Sequence, residues 1–128
     1  RSGLYDFMAH PDIFLAGYPH LDDSVLSASR DIIQAAVDAS LPMEINGLGL
    51  SRAPIAGSKG PRAPYPVREF WEMAAQEGAV ILCNSDAHRS VDVIEPARNA
   101  RRFAEEAGIP VHDPVDVLSF ILQNSGKN

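Results

Sequence analysis

Apolar and polar positions along the chain divide it into short unbroken apolar runs and longer stretches with helical spacing. Residues 4–9 are mostly apolar and predict a short buried strand. It ends at His10-Pro11-Asp12, because proline has no N–H to give to a ladder. From 24 to 40, apolar or small residues recur at Val25, Ala28, Ile32, Ala35, Ala36 and Ala39, which is the spacing of one helix face. Leu26, Ile33 and Val37 widen that face, and Asp22 or Asp23 is the expected N-cap. Residues 42–45 read as a second strand. Residues 46–64 are rich in Gly, Pro, Ser and Arg without periodicity, and so predict a long loop of the kind that often carries function.

The next helix is expected to open with Pro66 at its first position and to bury Val67, Phe70, Trp71 and Ala74, with Gly78 closing it. An apolar run at 79–83 predicts a third strand, followed by Asn84-Ser85-Asp86-Ala87-His88. A helix over 96–107 should end at Gly108, and 109–111 fit a short last strand. Asp113-Pro114 then reads as a cap and first turn for a final helix that buries Val117, Leu118, Ile121 and Leu122, with a polar tail at 124–128. Strand–helix alternation implies an α/β fold with three to four parallel strands and crossover helices. A closed barrel of eight strands takes about 250 residues. The 128 residues here therefore make either a small open α/β domain or part of a barrel.

Composition narrows the function. A net charge of −6 argues against general nucleic-acid binding, which needs clustered Lys and Arg. It leaves room for a small phosphorylated substrate. The one cysteine, Cys83, cannot form an internal disulfide and fits a reducing compartment, so a cytoplasmic protein is expected. No apolar run approaches the roughly 20 residues of a membrane span, and no signal peptide is visible. The chain opens on Arg1 rather than Met and enters an apolar segment within a few residues, as a fragment or a processed chain would.

Two motifs follow strands, at the edge where parallel α/β folds gather their ligand-binding groups. In Asp86-Ala87-His88, residues two apart in extended backbone point the same way, so a carboxylate and an imidazole can converge on zinc, manganese or iron. The competing reading is a loop turn with a solvated His88. In His10-Pro11-Asp12, His10 can ligate a metal while Asp12 orients its ring; the competing reading is a strand terminator with a surface histidine. Arg52, Lys59, Arg62 and Arg89 are basic residues near these motifs. A guanidinium can grip phosphate through two parallel hydrogen bonds. Arg52 and Arg89 are the candidates for that role, and Lys59 and Arg62 read as solvated loop charges. Phe70, Trp71 and Phe103 read as core, Arg98, Arg101 and Arg102 as an exposed helix face, and Cys83 as packing.

Taken together, Ala9-His10-Pro11-Asp12, Met43-Glu44-Ile45-Asn46-Gly47 and Asn84-Ser85-Asp86-Ala87-His88-Arg89, with Val91-Asp92-Val93 after them, resemble the PHP (polymerase and histidinol phosphatase) family. The likeness covers about residues 4–108 and matches the second half of its histidinol phosphatases. It implies the C-terminal half of a distorted seven-stranded (β/α) barrel occupying residues 1–123, with 124–128 as tail. It also implies two or three divalent ions (Zn, Mn or Fe) in the full-length parent. By the same resemblance His10, Asp86 and His88 are metal ligands, and Asp86 bridges metals or assists proton transfer. Arg52, Arg89 and Asn46 are the residues expected at the substrate, Arg52 because relatives place a basic residue soon after the Glu-Ile-Asn strand. Glu44 matches a strand position that is not in general a ligand, and reads as a carboxylate satisfied by its neighbours.

The family's other ligands, an early His-x-His with further His and Glu residues, belong to the first half. His20 and His112 fall in no matching motif. The expected activity is therefore hydrolysis of a small phosphate monoester such as histidinol phosphate, in histidine biosynthesis, by the full-length parent. The isolated chain is expected to be inactive and to associate with itself or with the missing half. A PHP phosphodiesterase or nuclease acting on nucleotides, and a non-catalytic binding or regulatory fragment, are the alternatives.

Overall fold

Asp22 starts the first helix by accepting the Val25 N–H on its side chain at 2.9 Å, satisfying one of the donors that every helix start leaves free. The computed structural model describes residues 5–125. In it α1 (Asp23–Asp38) buries Val25, Ser29, Ile33 and Ala36 along one face. Ser29 is polar and fully buried, and its hydroxyl is satisfied by donating to the Val25 carbonyl at 2.8 Å.

The chain then enters β1 (Met43–Asn46), all four residues of which are buried. It crosses through α2 (Arg68–Gln76) to β2 (Ile81–Asn84). The two strands are parallel, pairing Met43 with Ile81, Glu44 with Leu82, Ile45 with Cys83 and Asn46 with Asn84. α3 (Ile94–Ala107) packs against both strands, and α1 packs against α2. Between these layers lies the core of Leu15, Ile33, Met43, Ile45, Phe70, Trp71, Ile81, Ala100 and Ala104. α4 (Pro114–Ser125) closes the chain. Gly78 and Gly108 adopt left-handed backbone at φ 72° and 67°, just past the ends of α2 and α3, as expected of helix-terminating glycines.

The strand expected at 4–9 contracts to one bridge. Met8 donates its N–H to the Pro42 carbonyl at 2.8 Å and accepts from Glu44 N–H at 3.0 Å, which pairs it parallel to Met43. Leu4 lies outside the described residues. The last strand, expected at 109–111, is replaced by a side-chain contact. His112 N–H donates to the Ile81 carbonyl at 2.8 Å, while Ile81 N–H donates to the His112 ring nitrogen Nδ1 at 3.1 Å. A ring nitrogen takes the place of a backbone acceptor, so no ladder propagates. The described residues thus form a mixed α/β structure with a two-stranded parallel sheet, where three to four strands were expected.

Other boundaries move for local reasons. α2 begins at Arg68 rather than Pro66, because Val67 N–H is taken by the Asp12 carboxylate at 2.7 Å. α4 runs through Asn124 to Ser125, into the segment read as tail; residues 126–128 lie outside the described residues. The long loop is partly ordered by a 3-10 turn at Leu48–Ser51 and an antiparallel bridge between Ile55 and Arg62. Arg62, expected to be a solvated charge, is instead a tether. Its guanidinium donates to the carbonyls of Ala63, Pro64, Leu15 and Tyr18 at 2.9–3.1 Å, fastening the loop to the turn that follows Met8. Among the described residues no helix is long and apolar enough to cross a membrane.

Candidate functional site

His10-Pro11-Asp12 follows the Met8 bridge, Asn46-Gly47 ends β1, and Ser85-Asp86-Ala87-His88 follows β2. The parallel pairing puts all three at the carboxyl edge of the sheet. Two of the candidate ligands sit in left-handed backbone that non-glycine residues rarely adopt, His10 at φ 32° and Asp86 at φ 53°.

Asp86 and His88 are brought together. The His88 Nδ1 lies 2.8 Å from the Asp86 carbonyl oxygen and 4.0 Å from the Asp86 carboxylate. A carbonyl only accepts, so Nδ1 carries the proton, and in the neutral form of that tautomer the lone pair is on Nε2. That tautomer is the one a metal-ligating histidine uses when its other nitrogen is tied to a carbonyl. The His88 side chain is 70% exposed and that of Asp86 29% exposed, so both are reachable from solvent.

His10 is held by a different set of residues. Its backbone N–H donates to Glu44 Oε2 at 3.1 Å, and its ring lies 6.0 Å from that of Tyr65. Glu44 is almost completely buried. Its Oε2 also faces the Asn46 amide nitrogen at 3.4 Å, and the Asn46 amide oxygen accepts Gly49 N–H at 3.1 Å. Asn46, expected at the substrate, is therefore fully buried and engaged at both ends of its amide.

Asp12 was expected to orient the His10 ring. Its Oδ2 goes instead to Val67 N–H and to the Trp71 indole N–H at 2.9 Å, while its Oδ1 is buried without a hydrogen-bond partner. Burial raises the Asp12 carboxyl from 3.8 to about 6, against the two donated hydrogen bonds and the nearby His10, which pull it down.

Of the expected phosphate contacts, Arg52 is exposed just after the 3-10 turn. Arg89 is exposed but forked onto Asp92 at 2.8 and 3.0 Å, a pairing that raises the arginine's pKa and lowers that of the aspartate. Lys59 is solvated beside Glu69. Cys83 is half-buried, and desolvation pushes its thiol up to about 11, so it packs rather than attacks.

The donor chemistry of Asp86 and His88 fits a divalent ion, with one carboxylate and one free imidazole nitrogen. Their geometry supplies a pair. Among the described residues no three His, Cys, Asp or Glu side chains stand together as a metal-holding group, so His10 does not close a set with Asp86 and His88. Glu44 was read from the sequence as a carboxylate satisfied by its neighbours, as it is here, whereas the roles of Tyr65 and Arg62 were not read. The Tyr65 contact with His10 and the Arg62 contacts with Leu15 and Tyr18 join residues more than forty positions apart, which leaves no local signal. Comparison with family models, with curated proteins and with solved structures gives no match for this chain.

Proposed function

We propose that this chain is the second half of a PHP-type barrel that hydrolyses a small phosphate monoester, with histidinol phosphate the first substrate to test. The observation that carries the reading is the Asp86–His88 pair at the carboxyl end of β2, with His88 Nδ1 tied to a carbonyl and Nε2 left as a donor. A bound divalent ion would supply an activated water and neutralise phosphoryl charge. For the chain itself, Asp86 and His88 offer two donors, and His10 a third once further elements complete the barrel. Arg52, exposed in the loop after β1, is the residue proposed to meet a phosphate. Arg89 reaches one only by exchanging its Asp92 partner for substrate oxygens. Apolar side chains left exposed on α4, among them Val115, Leu118 and Leu122, support a missing neighbour, either the other half of the barrel or a second copy.

The test is metal analysis of the purified chain by mass spectrometry, paired with a phosphatase assay on histidinol phosphate with added zinc or manganese. The expected result is little metal and little turnover for the chain alone, and a gain of both when a first-half PHP segment is co-expressed. Full activity of the chain alone would overturn the half-barrel reading. No gain with any first-half segment would overturn the phosphoesterase reading.

A further inference from the structure

His10 occupies left-handed backbone at φ 32°, a conformation that costs a non-glycine residue of order 1–3 kcal/mol unless its surroundings impose it. Two groups impose it. Glu44 Oε2 takes the His10 N–H at 3.1 Å, and the Tyr65 ring lies against the imidazole at 6.0 Å with 52° between the planes.

Both supports are themselves fixed. Glu44 is 2% exposed, and its backbone N–H is bonded to Met8. Tyr65 is 7% exposed and seated against Gly49, where an added Cβ would come within 2.3 Å of both its ring and its carbonyl oxygen. Gly49 in turn donates to Asn46, and Asn46 faces Glu44. The contacts close into a circuit running His10–Glu44–Asn46–Gly49–Tyr65–His10. Neither Asp86 nor His88 belongs to the circuit, and His10 is the one candidate ligand in it.

We infer that Glu44 and Tyr65 are positioning residues for His10, Glu44 fixing its backbone and Tyr65 its ring. The functional consequence rests on the proposed reading of His10 as a metal ligand, whereas the contacts themselves can be read without any metal.

The experiment uses the full chain, the variants Glu44→Leu, Glu44→Gln, Tyr65→Leu, Tyr65→Phe and His10→Ala, and two measurements. The first is NMR of the metal-free protein. Glu44→Leu should move the His10 amide proton upfield and speed its exchange, and Tyr65→Leu should move the His10 ring protons. Glu44→Gln and Tyr65→Phe, which keep an acceptor and a ring, should leave both near wild type. The second, on the chain co-expressed with a first-half PHP segment so that His10 can join Asp86 and His88, is zinc affinity by competition with a chromogenic chelator. Removing a group that orients a ligand typically costs 10- to 100-fold, so Glu44→Leu and Tyr65→Leu should each weaken zinc at least about tenfold. Neither should weaken it further in the His10→Ala background, and the two conservative variants should hold within about threefold of wild type.

If His10→Ala weakens zinc while both leucine variants bind normally, positioning is wrong and the ligand reading stands. If His10→Ala binds zinc like wild type, the ligand reading falls and the functional role of the circuit falls with it. Should Glu44→Leu fail to fold, Tyr65→Leu carries the same test, and an unchanged His10 ring signal in that variant would refute the contact.

Discussion

At the scale of single residues, Asp12 carries the clearest electrostatic cost. It is fully buried, with two donors on one oxygen and none on the other. Its folded carboxyl titrates near 6, against 3.8 for the ordinary group. The native state therefore binds the proton more tightly than the unfolded chain does. Its stabilising contribution is fully present below about 3.8 and is lost as pH rises through about 6. Two pKa units correspond to about 3 kcal/mol. Asp12→Asn keeps an acceptor for Val67 and Trp71 and removes the titration. The stability of wild type relative to Asp12→Asn should therefore fall by about 2 kcal/mol between pH 4 and pH 7. Urea unfolding in chelator-treated buffer measures this, and the other carboxylates cancel in the difference. A difference that stays flat with pH would mean that the carboxyl is not desolvated. The sequence placed Asp12 beside the site and gave it a ring to orient. Its actual partners, 55 and 59 residues away, leave no local trace, and for the same reason Arg62 looked like a loop charge.

At the scale of elements, helices were the legible part, because caps and periodicity are local. Asp22 opens α1 and Gly108 closes α3 where expected. Strand length was less legible, since a ladder depends on a neighbour. The apolar run at 79–83 yields a strand shifted to Ile81–Asn84, and the segments at 4–9 and 109–111 lack enough partner backbone to become strands. The join between β1 and α3 was not legible at all. Gly47 has ordinary helical backbone, φ −78°, so its conformation does not require glycine. Its surroundings do, because an added Cβ would stand 1.9 Å from the Pro96 carbonyl oxygen and 2.3 Å from its carbon. Backbone cannot step aside as a flexible side chain can. Gly47→Ala should therefore push the start of α3 away from the strand end and cost about 3 kcal/mol, the upper range for overpacking. Gly78→Ala, at φ 72° with nothing within 4 Å, should cost only about 1 kcal/mol through strain. Urea midpoints of the two variants compare a steric cause with a conformational one, and equal losses would remove the steric argument for Gly47.

At the scale of the whole molecule, the described residues of α4 leave apolar side chains exposed beside the two-stranded sheet. A groove of about 490 Å³ lies between β2, the Phe7 segment and α4, with Phe7, Leu82, Val117, Leu118 and Leu122 among its lining. Leu118 and Leu122 are 56% and 67% exposed. Isolated exposed leucines are ordinary, but a contiguous run beside an open groove marks a contact surface. The only described backbone beyond β1 is the single Met8 bridge, and a strand edge with so little cover recruits further chain. The proposed half-barrel requires a contact surface of this kind. On that proposal the chain should self-associate in a concentration-dependent way, and Leu118→Glu with Leu122→Glu should shift it toward monomer. Because both positions are solvent-facing in α4, the double variant should keep its helical circular dichroism. Light scattering coupled to size exclusion over a hundredfold range of concentration decides it. A wild-type chain that stays monomeric throughout, and unfolds cooperatively, would mean that the α4 face is free surface and that the two-stranded sheet is sufficient by itself.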